Sequence, residues 1–126
     1  MIIEHIAIWT KNIEIMKNFY CDFFNGRSNN MYENNKKGFK SYFITFTNGC
    51  RLELMESTNI KEEGNPLTFG IAHIAFKIGS EKEVDKLTDS FRNKGFTIIG
   101  NPRTTGDGYY ESIILDPEGN TIELVA

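Results

Sequence analysis

The chain has 126 residues, 40% of them hydrophobic, with 14 Lys+Arg against 17 Asp+Glu. That length suits one compact domain, or two very small modules sharing a core, and hides roughly two-thirds of the unfolded surface without staples. A net charge of −3 offers no basic footprint for nucleic acid or an anionic membrane, no apolar run approaches the ~20 residues of a membrane span, and two histidines exclude imidazole-rich chemistry. Met1 leads straight into a strand-like segment that contains His5, so no targeting peptide is expected. After it, Ile13, Met16, Tyr20 and Phe23 form a helical stripe with Gly26 as terminator. Gly26 to Tyr32 fills a strand slot, and Glu33 to Gly38 reads as a solvated turn. Phe39 to Phe46 and Arg51 to Glu56 read as strands joined at Asn48-Gly49. A polar connector over 58–70, with Gly64, Pro66 and Gly70, follows. Beyond a second strand containing His73, Ser80-x-x-Glu83 is a capping box, Val84, Leu87 and Phe91 form the next stripe, and Gly95 ends it. Strands are predicted over 97–104, 109–115 and 121–125, the last two linked by the turn Asp116-Pro117-Glu118-Gly119-Asn120. Cys21 and Cys50 have no metal-ligand spacing and suit two small buried side chains in a reduced, cytoplasmic protein.

This series contains one pattern twice. His5-Ile6-Ala7-Ile8 recurs 68 residues later as His73-Ile74-Ala75-Phe76. Gly49-Cys50-Arg51-Leu52-Glu53-Leu54-Met55 recurs 70 residues later as Gly119-Asn120-Thr121-Ile122-Glu123-Leu124-Val125. The expected architecture is α+β, with two βαβββ modules, about 1–57 and 71–126, forming one curved, mostly antiparallel sheet with helices on its convex face.

Strand alternation then sorts the polar residues. His5 shares a face with Ala7 and Trp9, His73 with Ala75, and Glu53 and Glu123 oppose the leucines and isoleucine beside them. Four ionisable side chains are thus expected on the concave side. Two imidazoles and two carboxylates are a nitrogen and oxygen donor set suited to a divalent Zn, Ni, Co, Mn or Fe ion and unlike a thiolate site. Small Ala7 and Ala75 leave volume beside such an ion.

With His5-Ile6-Ala7, Ile71-Ala72-His73-Ile74-Ala75-Phe76, Gly108-Tyr109-Tyr110-Glu111 and the closing Asp116-Pro117-Glu118-Gly119-Asn120-Thr121-Ile122-Glu123-Leu124, the chain resembles the vicinal oxygen chelate superfamily. That superfamily includes glyoxalase I, extradiol dioxygenases, methylmalonyl-CoA epimerase, fosfomycin-resistance enzymes and bleomycin-resistance proteins. The resemblance implies metal ligands at His5, Glu53, His73 and Glu123, with Zn, Ni, Co or Mn as the ion. It also implies proton transfer next to a carbonyl, with Glu53 or Glu123 moving the proton, in a cytoplasmic homodimer acting on a small molecule.

Within the superfamily the full ligand set is similar to that of glyoxalase I. The epimerase commonly has Gln where this chain has His5, and ring-cleaving dioxygenases use additional histidines, whereas both histidines here are taken as ligands. One departure concerns the substrate: Trp9 stands where glyoxalase I commonly has an Arg for glutathione, and Met55-Glu56-Ser57 is acidic where glutathione contacts are expected. Trp9, Tyr109 and Tyr110 are the candidate substrate contacts, and Arg51, Arg103 and Lys77 candidate anion contacts. The alternatives are an epimerase-like enzyme and a non-catalytic binder of the bleomycin-resistance type.

Overall fold

Each half of the chain alternates apolar and polar residues along its strands and places an amphipathic helix after the first, so each half has one apolar sheet face to cover and one helix to cover it. The computed structural model describes residues 3–60, 71–106 and 108–126. Most of the connector, including Gly64, Pro66 and Gly70, lies outside the described residues, as does Asp107. The chain forms two compact units, residues 1–63 and 64–126.

The first unit runs β1 (His5–Trp9), α1 (Ile13–Phe24), β2 (Arg27–Ser28), β3 (Tyr32–Asn34), β4 (Phe39–Thr45) and β5 (Arg51–Ser57). Its strands lie in the order β1-β5-β4-β2, with β3 also paired to β4. Parallel pairing joins β1 to β5, and the other pairs are antiparallel. Helix α1 packs on β4, β5 and β2. Its Ile13, Met16, Phe19 and Tyr20 are buried, as are Tyr42, Ile44, Leu52 and Leu54 of the sheet.

The second unit runs β6 (Ile74–Lys77), α2 (Glu81–Asn93), β7 (Ile98–Thr104), β8 (Tyr110–Leu115) and β9 (Thr121–Val125). Its order is β6-β9-β8-β7, again with the first and last strands parallel. Val84, Thr88 and Phe91 of α2 are buried, together with Ser112, Ile114, Ile122 and Leu124. The Thr88 and Ser112 hydroxyls, both fully buried, pair at 2.6 Å, and Thr88 also donates to the Val84 carbonyl.

The α+β class and the doubled βαβββ order follow the sequence reading; the strand partition differs from it. Among the described residues the strands form two sheets, one in each unit, and not a single one. Alternation reveals which face a side chain takes, but it carries no information on which strand edges join. In the first unit the span 26–38 also holds two short strands, with the turn confined to 35–38.

The helix ends show where local chemistry decides. Asn25, not Gly26, takes the left-handed conformation that ends α1 (φ 53°), and its N–H reaches the Tyr20 carbonyl. Gly26 serves a different need: a Cβ there would meet Ile44 Cγ2 at 2.5 Å and the Tyr20 oxygen at 2.9 Å. At the other end, Asn12 accepts from Ile15 N, and Glu56 of β5 accepts from Ile13 N at 3.0 Å. An anion at a helix N-terminus is stabilised by the unpaired amides there. The α2 capping box forms as predicted, with Ser80 and Glu83 satisfying each other's amides. Among the described residues, no helix is long and apolar enough to cross a membrane.

Candidate functional site

The parallel pairs place the ionisable residues. Ala7 stands opposite Glu53 in β1 and β5, and Ala75 opposite Glu123 in β6 and β9. His5 and His73 come two residues before those alanines, so each imidazole lies diagonally from its glutamate on one face of a parallel pair. His5 Nε2 is 3.7 Å from Glu53 Oε2, and His73 Nε2 is 3.3 Å from Glu123 Oε2. The carboxylates are the more sheltered partners, 16% and 18% exposed against 38% and 43% for the imidazoles.

These separations suit two donors on one ion. Nitrogen and oxygen ligands each about 2.1 Å from a divalent ion stand 3.3 Å apart at about 104°, between octahedral and tetrahedral angles, and 3.7 Å apart at about 124°. The longer distance exceeds that of a hydrogen bond. Donor chemistry and spacing therefore fit a divalent ion at each pair. Among the described residues no group of three or more His, Cys, Asp and Glu side chains that could hold a metal is gathered, so what each unit offers is a two-donor edge.

Around the first pair the surroundings are aromatic. The His5 ring stands edge-on to Phe43 at 5.4 Å, and Trp9 edge-on to Phe39 at 6.2 Å. Tyr32 lies 6.1 Å from Phe39, and Trp9 and Tyr32 are each about half exposed. Arg51, weighed as an anion contact, lies over the Phe43 ring at 4.0 Å and pairs with Glu4. Glu4 in turn accepts from His5 Nδ1. The His5 hydrogen bond first, and the Arg51 one second, hold the Glu4 carboxyl below the ordinary carboxylate range.

The second pair has charged surroundings. Lys77 takes the register position of Trp9, facing Val125 as Trp9 faces Met55. Glu111, on the same side of β8 as Ile113, the residue opposite Glu123, is 13% exposed and pairs with Arg103 at 3.2 Å. Tyr109 is 59% exposed, and its carbonyl accepts from Thr105 N and Oγ1. Tyr110 takes the opposite side of the strand: its hydroxyl donates to Asp85 of α2 at 2.6 Å. That hydrogen bond pushes the phenol up to about 12. Glu56 likewise serves the helix side, which explains the acidic Met55-Glu56-Ser57 stretch without a substrate.

Two residues beside the pairs escaped the sequence reading. Glu111 was signalled by its alternation with Tyr109 and Ile113. Glu4 was not, because it stands before the first residue of β1, where strand alternation does not govern direction.

Comparison with known proteins identifies the frame that carries these pairs. The family model described as the Glyoxalase/Bleomycin resistance protein/Dioxygenase superfamily matches residues 2–124. A curated relative, the uncharacterized protein YqjT of Bacillus subtilis (strain 168), is 35% identical over 60 residues, 45% of this chain and 47% of that protein. Among solved structures, glyoxalase I from Zea mays superposes with a TM-score of 0.80 at 19% identity, over 98% of this chain and 44% of that one. A glyoxalase family protein from Enterococcus faecalis superposes with a TM-score of 0.79 at 23% identity, over 98% and 96%. The chain thus spans about half the length of YqjT and of the maize enzyme. At these identities the solved structures speak for the fold.

Proposed function

This chain belongs to the glyoxalase/bleomycin resistance protein/dioxygenase superfamily, and within it we propose a metal-dependent lyase or isomerase of the glyoxalase I type. The observation that carries the proposal is the repeated diagonal of imidazole and carboxylate, His5 with Glu53 and His73 with Glu123. In this reading the four side chains hold one Zn, Ni, Co or Mn ion, the set being completed within one chain or across a homodimer. When bound, the ion supplies Lewis-acid polarisation of a small substrate with two adjacent oxygens.

The chain's own residues do the rest. Glu53 or Glu123 takes a proton from the carbon beside the carbonyl and returns it one atom away, the work of a positioned general base. Ala7 and Ala75 leave room next to the imidazoles. Trp9 and Tyr109 wall the substrate, while Tyr110, held by Asp85, fixes the start of β8 next to Tyr109. The same donor set would serve an epimerase on a different substrate.

One observation favours a second reading. Trp9, Phe39 and Tyr32 form a partly exposed aromatic cluster, as a binder of a small aromatic ligand of the bleomycin-resistance type requires. Two measurements separate the readings. Metal analysis of freshly purified protein is expected to find stoichiometric divalent ion, and the hemithioacetal of methylglyoxal and glutathione is expected to be turned over. Glu123→Gln keeps the fold and loses at least about a hundredfold of that turnover; a fully active variant overturns the assignment. Metal without turnover points to the epimerase reading. No metal after addition, with aromatic ligands quenching the only tryptophan, Trp9, points to the binder.

A further inference from the structure

In the first unit the imidazole belongs to a chain of contacts that, among the described residues, the second unit does not repeat. Glu4 Oε2 lies 2.5 Å from His5 Nδ1. Arg51 Nε donates to Glu4 Oε1 at 2.8 Å, and Nη2 of the same guanidinium also reaches that oxygen. The backbone ties the two residues as well, with Arg51 N donating to the Glu4 carbonyl at 3.0 Å. Beneath it, the guanidinium rests on the Phe43 ring, which also stands perpendicular to the His5 ring. In the second unit the residue before His73 is Ala72, and the register position of Arg51 is Thr121.

An ionised carboxylate only accepts, so the nitrogen facing it must carry the proton. For a neutral imidazole this leaves Nε2 with its lone pair, on the side of Glu53. We propose that Glu4, held by Arg51, is a positioning residue: it fixes the Nδ1-protonated tautomer of His5 and its ring orientation, and so presents Nε2 as a ready ligand. This rests on the reading of His5 and Glu53 as donors to an ion. Carboxylate partners of ligating histidines act this way in general, and their loss typically costs 10–100-fold in metal affinity. His73 has no such device at the corresponding positions, so the two halves differ in how far they are prepared before an ion arrives.

The test uses the whole chain and two readouts. Nitrogen chemical shifts of the imidazoles in metal-free protein at about pH 8, above the ordinary histidine range, report the tautomer with no ion involved. Wild type is expected to show the Nδ1–H form at His5. Glu4→Ala should lose that bias, and Glu4→Gln, whose amide oxygen still accepts, should keep it. Chelator competition with Zn(II) should then show affinity falling about 10–100-fold in Glu4→Ala and less in Glu4→Gln. A His5 tautomer that is Nε2–H in wild type, or unchanged in Glu4→Ala, overturns the inference. So does equal loss of affinity in both variants, which would mean that only the charge matters. If wild type binds no Zn(II), the metal reading and the affinity claim fall together, while a Glu4-dependent tautomer still supports the orienting role.

Discussion

The first and second units place an imidazole and a carboxylate on the same diagonal of a parallel strand pair, and they surround it with different chemistry. Next to His5 and Glu53 stand Trp9, Phe43 and the Glu4–Arg51 pair. At the matching register, the second unit has Lys77, Ile113, Ala72 and Thr121, with Glu111 and Arg103 close by. The backbone pairing alone is enough to bring the donors together, because a parallel register with a two-residue offset sets their separation whatever the neighbours are. The neighbours then decide what else each edge can do. The edge in the first unit offers aromatic groups, and the edge in the second offers charged ones.

The cores differ in the same spirit, and perturbing them tests how far the parallel goes. In the first unit α1 closes its core with rings, Phe19 packing with Tyr20, Phe23 and Phe24. In the second, Phe91 and Phe96 supply an edge-on ring pair, and the buried Thr88–Ser112 hydroxyl pair lies among the aliphatic Val84, Ile114, Ile122 and Leu124 of the core. Truncating the fully buried ring in either unit, Tyr20→Ala or Phe91→Ala, is expected to cost about 3–5 kcal/mol in chemical denaturation. A much smaller loss in one unit would show that its core collapses around the cavity. Thr88→Ala strands the Ser112 hydroxyl without its partner and should cost about 1–3 kcal/mol, whereas Thr88→Val combined with Ser112→Ala should recover most of that. No recovery in the double variant would mean that packing, not the hydroxyl pair, holds that spot.

The helix starts form a finer contrast. Ser80→Ala is expected to cost about 1 kcal/mol, as is Asn12→Ala. Ser80 should be the more costly, because the reciprocal Glu83 bond is disturbed with it, while Glu56 still covers Ile13 N when Asn12 is changed. Thermal melts of the two variants rank them directly. The smallest effect concerns the tyrosine ties to the helices, Tyr42 to Glu14 and Tyr110 to Asp85. Tyr110 ionises at about 12 in the folded chain against an ordinary 10.0. Its protonated form is favoured by folding, so the contribution is complete below pH 10 and is lost as pH rises toward 12. Relative to Tyr110→Phe, wild type should therefore lose stability across that window. Parallel curves for the two proteins would show that the hydrogen bond to Asp85 contributes nothing.

Much of this arrangement could be read from residues alone, and the reasons for the remainder are physical. The doubled strand-helix-strand order was legible because periodicity is local, and strand 121–125 matches its expectation residue for residue. The diagonal pairs were legible through alternation combined with the repeat. What stayed hidden depends on distant partners or on size. Thr88, and not Leu87, is fully buried beside Val84 and Phe91 of α2, its hydroxyl met by the Val84 carbonyl and by Ser112 of β8, 24 residues away in sequence. Glu56 covers the start of α1 from 43 residues away in sequence. The division of the strands into two sheets depends on edge pairing, which no single strand encodes.

The proposal that both diagonals serve one ion is tested most directly by a titration with Co(II). Wild type is expected to bind one ion per chain. His5→Ala and His73→Ala should each weaken binding at least about a hundredfold, in keeping with the loss of a direct ligand compared with a supporting one, while circular dichroism shows both folded. Undiminished binding in either variant, or none in wild type, would contradict the account.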